Sequence, residues 1–258
     1  MKFLLIILIV INLILFFLLK RKELKSFFIK QKIEKIDISN IHKSFLLIKH
    51  SKNLYGPKDD ALIKSFNISP NNKIIGMTSD YEAWIISTLS KFSNSIFEFG
   101  TCSGKTTFLM ALNSPKNSKI ISLTLKSEQI SLIEKNSNDN KIAHRNAISE
   151  SIYEKFLFSG HEVENKITVL FENSLNFNEQ KFLEKFDLIF IDGGHTYSIV
   201  KNDTEKALKM IKKNGIILWH DYVPGKTSSK DIVRYLEEFS KKNKLYNIRN
   251  TSLCYFKK

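Results

Sequence analysis

The chain changes character twice along its length. Residues 3–19, FLLIILIVINLILFFLL, contain a single polar side chain, Asn12. As a helix this run measures about 26 Å at about 1.5 Å per residue, close to the roughly 30 Å of a bilayer core. It has no polar face at helical spacing, which argues against a buried core helix. Lys20, Arg21, Lys22 and Lys25 follow directly, without the small residues of a cleavage site. Residues 1–20 therefore read as an uncleaved transmembrane anchor rather than a signal peptide. More positive charge follows the span than precedes it, so the body is expected in the cytoplasm. Residues 21–72 mix charged and apolar positions without a regular period, and are expected to form a stalk and a cap. Within them, 23–36 suits a helix, while Gly56-Pro57 and Ser69-Pro70-Asn71-Asn72 suit turns.

From residue 73 onward apolar runs alternate with amphipathic ones, and 73–258 reads as one domain. Strands are expected at 95–99, 119–125, 167–171, 186–191 and 215–219. Helices are expected at 80–92 with Asp80 as N-cap, and at 106–113, 127–135, 202–212 and 230–241. Residues 245–248 and 252–256 suit a closing antiparallel pair. This alternation predicts an α/β fold: a mostly parallel sheet with helices on both faces. In such sheets ligands sit beyond the carboxyl ends of the strands. That rule selects 98–106, 124–128, 172–174, 192–195 and 219–222 for attention.

Composition narrows the picture. The chain has 258 residues, 43% of them hydrophobic, enough to build a core and exclude general disorder. Two cysteines, Cys102 and Cys254, exclude a disulfide framework. The formal charge of +14 comes almost wholly from lysines spread along the chain. Arginine, the usual reader of bases and phosphates, occurs only at 21, 145, 234 and 249. A solvated basic surface fits better than a nucleic-acid footprint.

The segment from Glu98 to Thr107, EFGTCSGKTT, follows a strand and opens a helix. Gly100 permits a tight turn with a ligand close to the backbone, and Gly104 relieves crowding at the helix start. Free N–H groups there favour polar or anionic atoms. Gly104-Lys105-Thr106 is not a phosphate-binding P-loop, because three rather than four residues separate the glycines.

Glu98-x-Gly100-x-x-x-Gly104-x-Thr106 resembles the first motif of class I S-adenosylmethionine-dependent methyltransferases, which have a Rossmann-like sheet. Further segments resemble later family motifs in the same order: 153–160 (YEKFLFSG), 167–174 (ITVLFENS), 187–197 (DLIFIDGGHTY), 214–222 (NGIILWHDY) and 250–256 (NTSLCYF). The likeness is closest to a bacterial branch with Asp-Gly-x-His and His-Asp-Tyr motifs. It implies S-adenosylmethionine as cofactor, bound by Glu98, Gly100, Thr101, Gly104, Thr106, Thr124, Asn173, Ser174 and Asp192. Glu98 is expected to orient the cofactor's amino group. Thr124 stands where the family has a ribose-binding acid, and Glu128 lies four residues on. Asn173 replaces an acid that reads adenine. Cys102 stands where many relatives have glycine and reads as a small filler, not a nucleophile.

Asp192, His195, His220 and Asp221 fall at strand ends. His195 or His220 suits a general base near neutral pH, with Asp221 beside them in the catalytic set. Asp192 and Asp221 are expected to face each other across neighbouring strands, with His220 adding a nitrogen. Related O-methyltransferases hold Mg2+ at these two loops, so a magnesium ion is a further expectation. The resulting expectation is membrane-anchored O-methylation of a small molecule, glycan or lipid-linked sugar, without nucleic acid. A non-catalytic nucleoside-binding module on a degenerate fold is the competing reading, favoured by Thr124. A nucleic-acid methyltransferase has only the net charge behind it and lacks an Asn/Asp-Pro-Pro-Tyr/Phe motif.

Overall fold

The computed structural model describes residues 10–12, 16, 32–67, 78–126, 128–129 and 137–258. The strands are β1 (Glu34–Ile36), β2 (Leu47–Ser51), β3 (Leu54–Pro57), β4 (Ser95–Phe99), β5 (Lys119–Thr124), β6 (Ile167–Phe171), β7 (Phe186–Ile191), β8 (Ile211–Trp219), β9 (Tyr246–Ile248) and β10 (Cys254–Lys257). The α-helices, renumbered in chain order, are α1 (Asp80–Ser90), α2 (Lys105–Asn113), α3 (Lys141–Glu150), α4 (Tyr197–Met210) and α5 (Lys230–Ser240). Eight strands form one sheet in the order β1-β9-β10-β8-β7-β4-β5-β6, and β2 and β3 pair only with each other. Neighbours from β8 to β6 are parallel, whereas β10 runs antiparallel to both β8 and β9. The architecture is therefore the Rossmann-like α/β sheet with a closing antiparallel strand that the sequence pattern predicts.

Continuous apolar strands make this arrangement possible, because each central strand is covered on both faces. Phe97, Phe99, Ile189, Ile191, Ile217 and Trp219 pack against α4 and α5 through Val200, Met210, Ile232 and Leu236. Ile96, Leu188, Phe190 and Leu218, alternating with them, pack against α1 and α2 through Ile85, Ile86, Leu89 and Met110. Each such side chain contributes about 1.5–3 kcal/mol by leaving water. The sheet's central strands are thereby fixed, and so is the line of loops at their carboxyl ends.

Several local expectations change. Ser79, not Asp80, caps α1, in a reciprocal capping box with Glu82. Helix α4 begins at Tyr197, five residues before the expected start, and β8 begins at Ile211 directly after it. Residues 34–36 are a strand rather than a helix, paired in parallel with β9. The 21–72 segment thus contributes to the main sheet and buries Ile33, Ile41 and Phe45. Gly56 and Pro57 lie within β3 instead of a turn. The anchor expected at 3–19 lies outside the described residues except for Val10, Ile11, Asn12 and Phe16, which are helical. Among the described residues no helix is long and apolar enough to cross a membrane. The helix expected at 127–135 also lies outside them, save for residues 128–129, and the turn expected at 69–72 does so entirely.

Candidate active site

The chain runs β4, β5, β6 outward in one direction and resumes with β7 on the other side of β4, so the strand order reverses between β4 and β7. A cleft of about 630 Å3 opens there, beyond the carboxyl ends of β4 to β7. Leu123, Leu125, Ala147 and Ile199 supply its apolar surface, and Thr124, Glu172, Asn173, Ser174, Asp192 and Glu150 supply polar groups.

Gly100 is required here by packing as well as by its φ of +95°. A Cβ at this position would lie 2.2 Å from the Asp192 carbonyl oxygen and 2.6 Å from Gly193 Cα. The turn after β4 is therefore pressed against the loop after β7, and Asp192 N–H donates to Phe99 O at 2.9 Å. Gly104, at φ +81°, opens α2. Its Cβ would meet Phe156 Cβ at 2.9 Å and the Phe158 ring at 2.8 Å, so the crowding expected at the helix start comes from residues 156–158.

Not every residue expected at the cofactor reaches the cleft. Gly100, Thr124, Asn173, Ser174 and Asp192 border it. Glu98 instead points into the core, 1% exposed, where its Oε2 accepts from Thr107 and from Ser122 Oγ at 2.5 Å. Thr101 bonds Ser122, 2.6 Å away, and Thr106 bonds Thr78 at 3.0 Å. Lys105 turns away too, donating to Thr78 O at 3.0 Å, which removes it from any phosphate role. Burial pushes the Glu98 carboxyl up to about 8, against the hydroxyls of Ser122 and Thr107. In this structure its carboxyl faces the core rather than the cleft, and holds its proton more tightly than a free carboxyl does.

This has a measurable consequence for stability. A carboxyl whose proton is held more tightly in the folded chain contributes stability below its unfolded value of about 4.5, and loses it as pH rises to about 8. Glu98→Gln, which keeps shape without the titration, is expected to melt increasingly above the parent chain as pH rises through that window. Parallel pH slopes for the two proteins would contradict the assignment.

Two acids and two histidines meet where β7 and β8 end. Asp192 Oδ1 lies 3.1 Å from His220 Nδ1 and 3.8 Å from His195 Nε2. Asp221 Oδ2 lies 3.6 Å from His195 Nε2, and Asp221 Oδ1 3.9 Å from His220 Nδ1. Asp221 holds a left-handed backbone, φ +61°, unusual away from glycine and frequent at functional sites. Ligand atoms of Asp192, His195 and Asp221 all lie within 4.8 Å of one another. That three-residue cluster takes its nitrogen from His195 rather than His220, although His220 Nδ1 lies closer to Asp192. His195 Nε2 is buried and has no hydrogen-bond partner among the described residues.

His220 is held differently. Its Nε2 faces Glu82 Oε2 at 3.5 Å. Glu82 also accepts from Ser79 N and Oγ at 3.1 and 2.7 Å, and from Ser252 N and Oγ at 2.6 and 2.7 Å. Burial favours a neutral imidazole, but Asp192 first and then Glu82 and Asp221 raise its pKa well above the ordinary value. Burial likewise raises the Asp192 carboxyl, but the neighbouring imidazoles, His220 foremost, hold it at about 2. The carboxylates of Asp192, Glu82 and Asp221 thus hold the His220 ring in place and favour its protonated form over the free base.

Three groups beyond the expected set join the site. Glu82 follows from the Ser79-x-x-Glu82 spacing, a readable capping signal. Glu172 borders the cleft one position before Asn173 and places a carboxylate at the β6 end, near Thr124, where the expected acid is missing. Glu150, at the end of α3, borders the cleft with its carboxyl raised by burial, and by Asp192 and Asp221 against His195, to about 7. The Cys102 thiol is pushed up by burial to about 12, so it is no nucleophile. On the far side of His220 and Asp221 lies an open polar groove of about 1050 Å3, edged by Lys35, Asn247, Asn250 and Thr251.

Residues 97–222 match the family model described as a methyltransferase domain. No curated protein sequence matches significantly. Among solved structures, a protein from Staphylococcus aureus assigned to the caffeoyl-CoA O-methyltransferases shares the fold at TM-score 0.52. It is 15% identical, with 71% of this chain and 85% of that one covered. The O-methyltransferase TomG from Streptomyces achromogenes, solved with S-adenosylmethionine, is 14% identical over 66% of this chain and 72% of that one, TM-score 0.47. An O-methyltransferase from Bacillus cereus, solved with S-adenosylhomocysteine, is 16% identical over 70% and 83%, TM-score 0.47.

Proposed function

We propose that this S-adenosylmethionine-dependent methyltransferase acts on a hydroxyl oxygen of a polar acceptor, a small molecule, glycan or lipid-linked sugar, at the cytoplasmic face of a membrane. The enzyme class rests on the match of residues 97–222 to a methyltransferase domain. One observation carries the rest of the reading. The apolar cleft and the polar groove meet at Asp192, His220 and Asp221, with Asp192 bordering the first and the other two the second.

When bound, S-adenosylmethionine supplies an electrophilic methyl carbon on its sulfonium. The cleft suits it: leucine and isoleucine surface for the base, Glu172 and Asn173 for its polar edges and the ribose, and the Gly100 turn for close backbone approach. The groove offers hydroxyls, amides and charged groups, and its aromatic rings are those of His220 and Tyr222 alone, the first engaged by carboxylates and the second buried. That lining supports a polyhydroxylated acceptor over a planar aromatic one. His220, fixed between Asp192 and Glu82, orients the acceptor as a hydrogen-bond donor and holds Asp192 in place. Asp192, Asp221 and His195 form a donor set suited to magnesium or a similar divalent ion, and the unpartnered His195 Nε2 supports that reading. Such an ion would lower the pKa of an acceptor hydroxyl bound to it.

Glu150 borders the cleft, and its coupling to His195, Asp192 and Asp221 sets it toward the junction with the groove, so it is assigned removal of the hydroxyl proton. As a base it works only ionised, so kcat/KM is expected to rise with pH through about 7. Glu150→Gln should remove that rise and lower the plateau by about a hundredfold. A profile unchanged in the variant would transfer the role elsewhere.

The test of the function itself is calorimetry of the full chain in detergent with S-adenosylmethionine and its demethylated product. Binding of either is expected, and no heat with both would end the proposal. Metal dependence abolished by Asp221→Ala but retained by Lys181→Ala would support the cation. Lys226 is unsuited as a control, since its Nζ lies 3.7 Å from Asp221.

A further inference from the structure

The β2–β3 hairpin is built unlike the rest of the molecule. Among the described residues it pairs with no other strand, and every residue of β2 is exposed. A lone two-stranded ribbon is marginally stable in water, so something else must hold it. Its base is secured to α1: Phe45 packs edge-on against Trp84 at 5.1 Å, and Trp84 Nε1 donates to Ala61 O at 2.8 Å. Its outer part is apolar and uncovered. Leu47 is 63% exposed, Leu54 59% and Tyr55 57%, and Leu46, Ile48 and Leu62 are exposed beside them. Tyr81 and Phe92, at the two ends of α1, continue the exposed apolar surface.

The charge along the hairpin itself has one sign. Between Asp37 and Asp59 the sequence has Lys43, Lys49, Lys52 and Lys58 and not a single carboxylate. Exposed aliphatic side chains and a tyrosine among lysines, with Asp59 and Asp60 confined to the turn that follows, are the chemistry of a segment that enters the headgroup layer of an anionic bilayer. A protein partner of matching shape would need acidic groups; a second copy would bring like charge to like.

We propose that the β2–β3 hairpin is a membrane-contact element that sinks Leu47, Leu54 and Tyr55 into an anionic lipid surface. The inference rests on the membrane tether proposed above and goes beyond it, since it fixes which face of the domain meets the lipid. Helix α1 carries the hairpin at one side and Glu82 at the other, so the contact would also set the polar groove close to lipid-borne acceptors.

The full chain carrying Tyr55→Trp, reconstituted into vesicles containing phosphatidylglycerol, tests it. Brominated acyl chains are expected to lower the added fluorescence, measured against the parent chain, by about half. Leu47→Glu with Leu54→Glu in the same background should abolish that quenching without altering the far-ultraviolet circular dichroism. A chain that floats with the vesicles yet shows no quenching overturns the hairpin contact alone. A chain that does not float overturns the tether as well. Blue-shifted emission that grows with protein concentration in the absence of lipid would overturn it in favour of pairing between copies.

Discussion

Asp192→Asn is expected to lower kcat/KM for methyl transfer by about a thousandfold. The substitution keeps the side chain's size and leaves the backbone bond to Phe99 intact, so folding should survive. What it removes is the charge on which three neighbours depend. His220 loses the nearer of its two carboxylates, 3.1 Å away, and with it part of what keeps the imidazole protonated. His195 and Asp221 lose the third member of the only cluster suited to a cation among the described residues. The cleft loses the one carboxylate that also touches the junction with the groove. Calorimetry separates the consequences: cofactor binding should weaken far less than turnover, because the apolar lining and the β5 and β6 ends are untouched. Activity within about threefold of the parent chain would remove Asp192 from the chemistry.

The second large effect concerns the fold. Gly100→Ala is expected to destabilise the chain by about 3 kcal/mol or more, adding overpacking to left-handed backbone strain. The Cβ would collide with main-chain atoms of Asp192 and Gly193, which have no rotamer by which to withdraw. A fall in thermal midpoint of about 10 °C follows for a chain of this size. Gly160→Ala is the matched comparison, with φ +80° but nothing within 4 Å of the added methyl group. It should cost only the strain, on the order of 1 kcal/mol. Equal losses at both sites would mean that the contact between the two loops is not what demands glycine.

The contrast between these two glycines also marks what can be read from a sequence. The turn after β4 is legible as a glycine turn, because a strand, a small residue and a helix follow in order. That its neighbour is the β7 loop depends on the crossover, which no local pattern encodes. The central strands are legible for the same reason they are stable: burial on both faces leaves uninterrupted apolar runs such as 187–191. Helix α3 is invisible by that criterion, since Ala143 alone among its residues is fully buried. It brings Glu150 to the cleft all the same. The start of β8 is hidden in another way. Ile211 and Lys212 read as the end of a helix and Lys213 and Asn214 as a loop, yet the strand runs through them with a register shift against β7 and a left-handed Asn214. Asp192, His195, His220 and Asp221 are identifiable from their places at strand ends. Which imidazole is held between carboxylates and which joins the cluster of the two aspartates depends on Glu82, a residue far away in the chain whose helix N-terminus happens to arrive beside His220.

The parallel pairing of Glu34–Ile36 with Tyr246–Ile248 bears on how the protein can be handled. Arg249 N–H donates to Ile36 O at 3.0 Å, tying the last crossover to the first strand. Trimming at residue 73 to obtain a soluble version would strip the border off the sheet, bare the hydrogen-bonding groups of Tyr246–Ile248 and uncover α1 where Phe45 now lies. Such a truncate would present a sticky margin to its own copies. A shortened chain intended for crystals or assays should begin no later than Lys32.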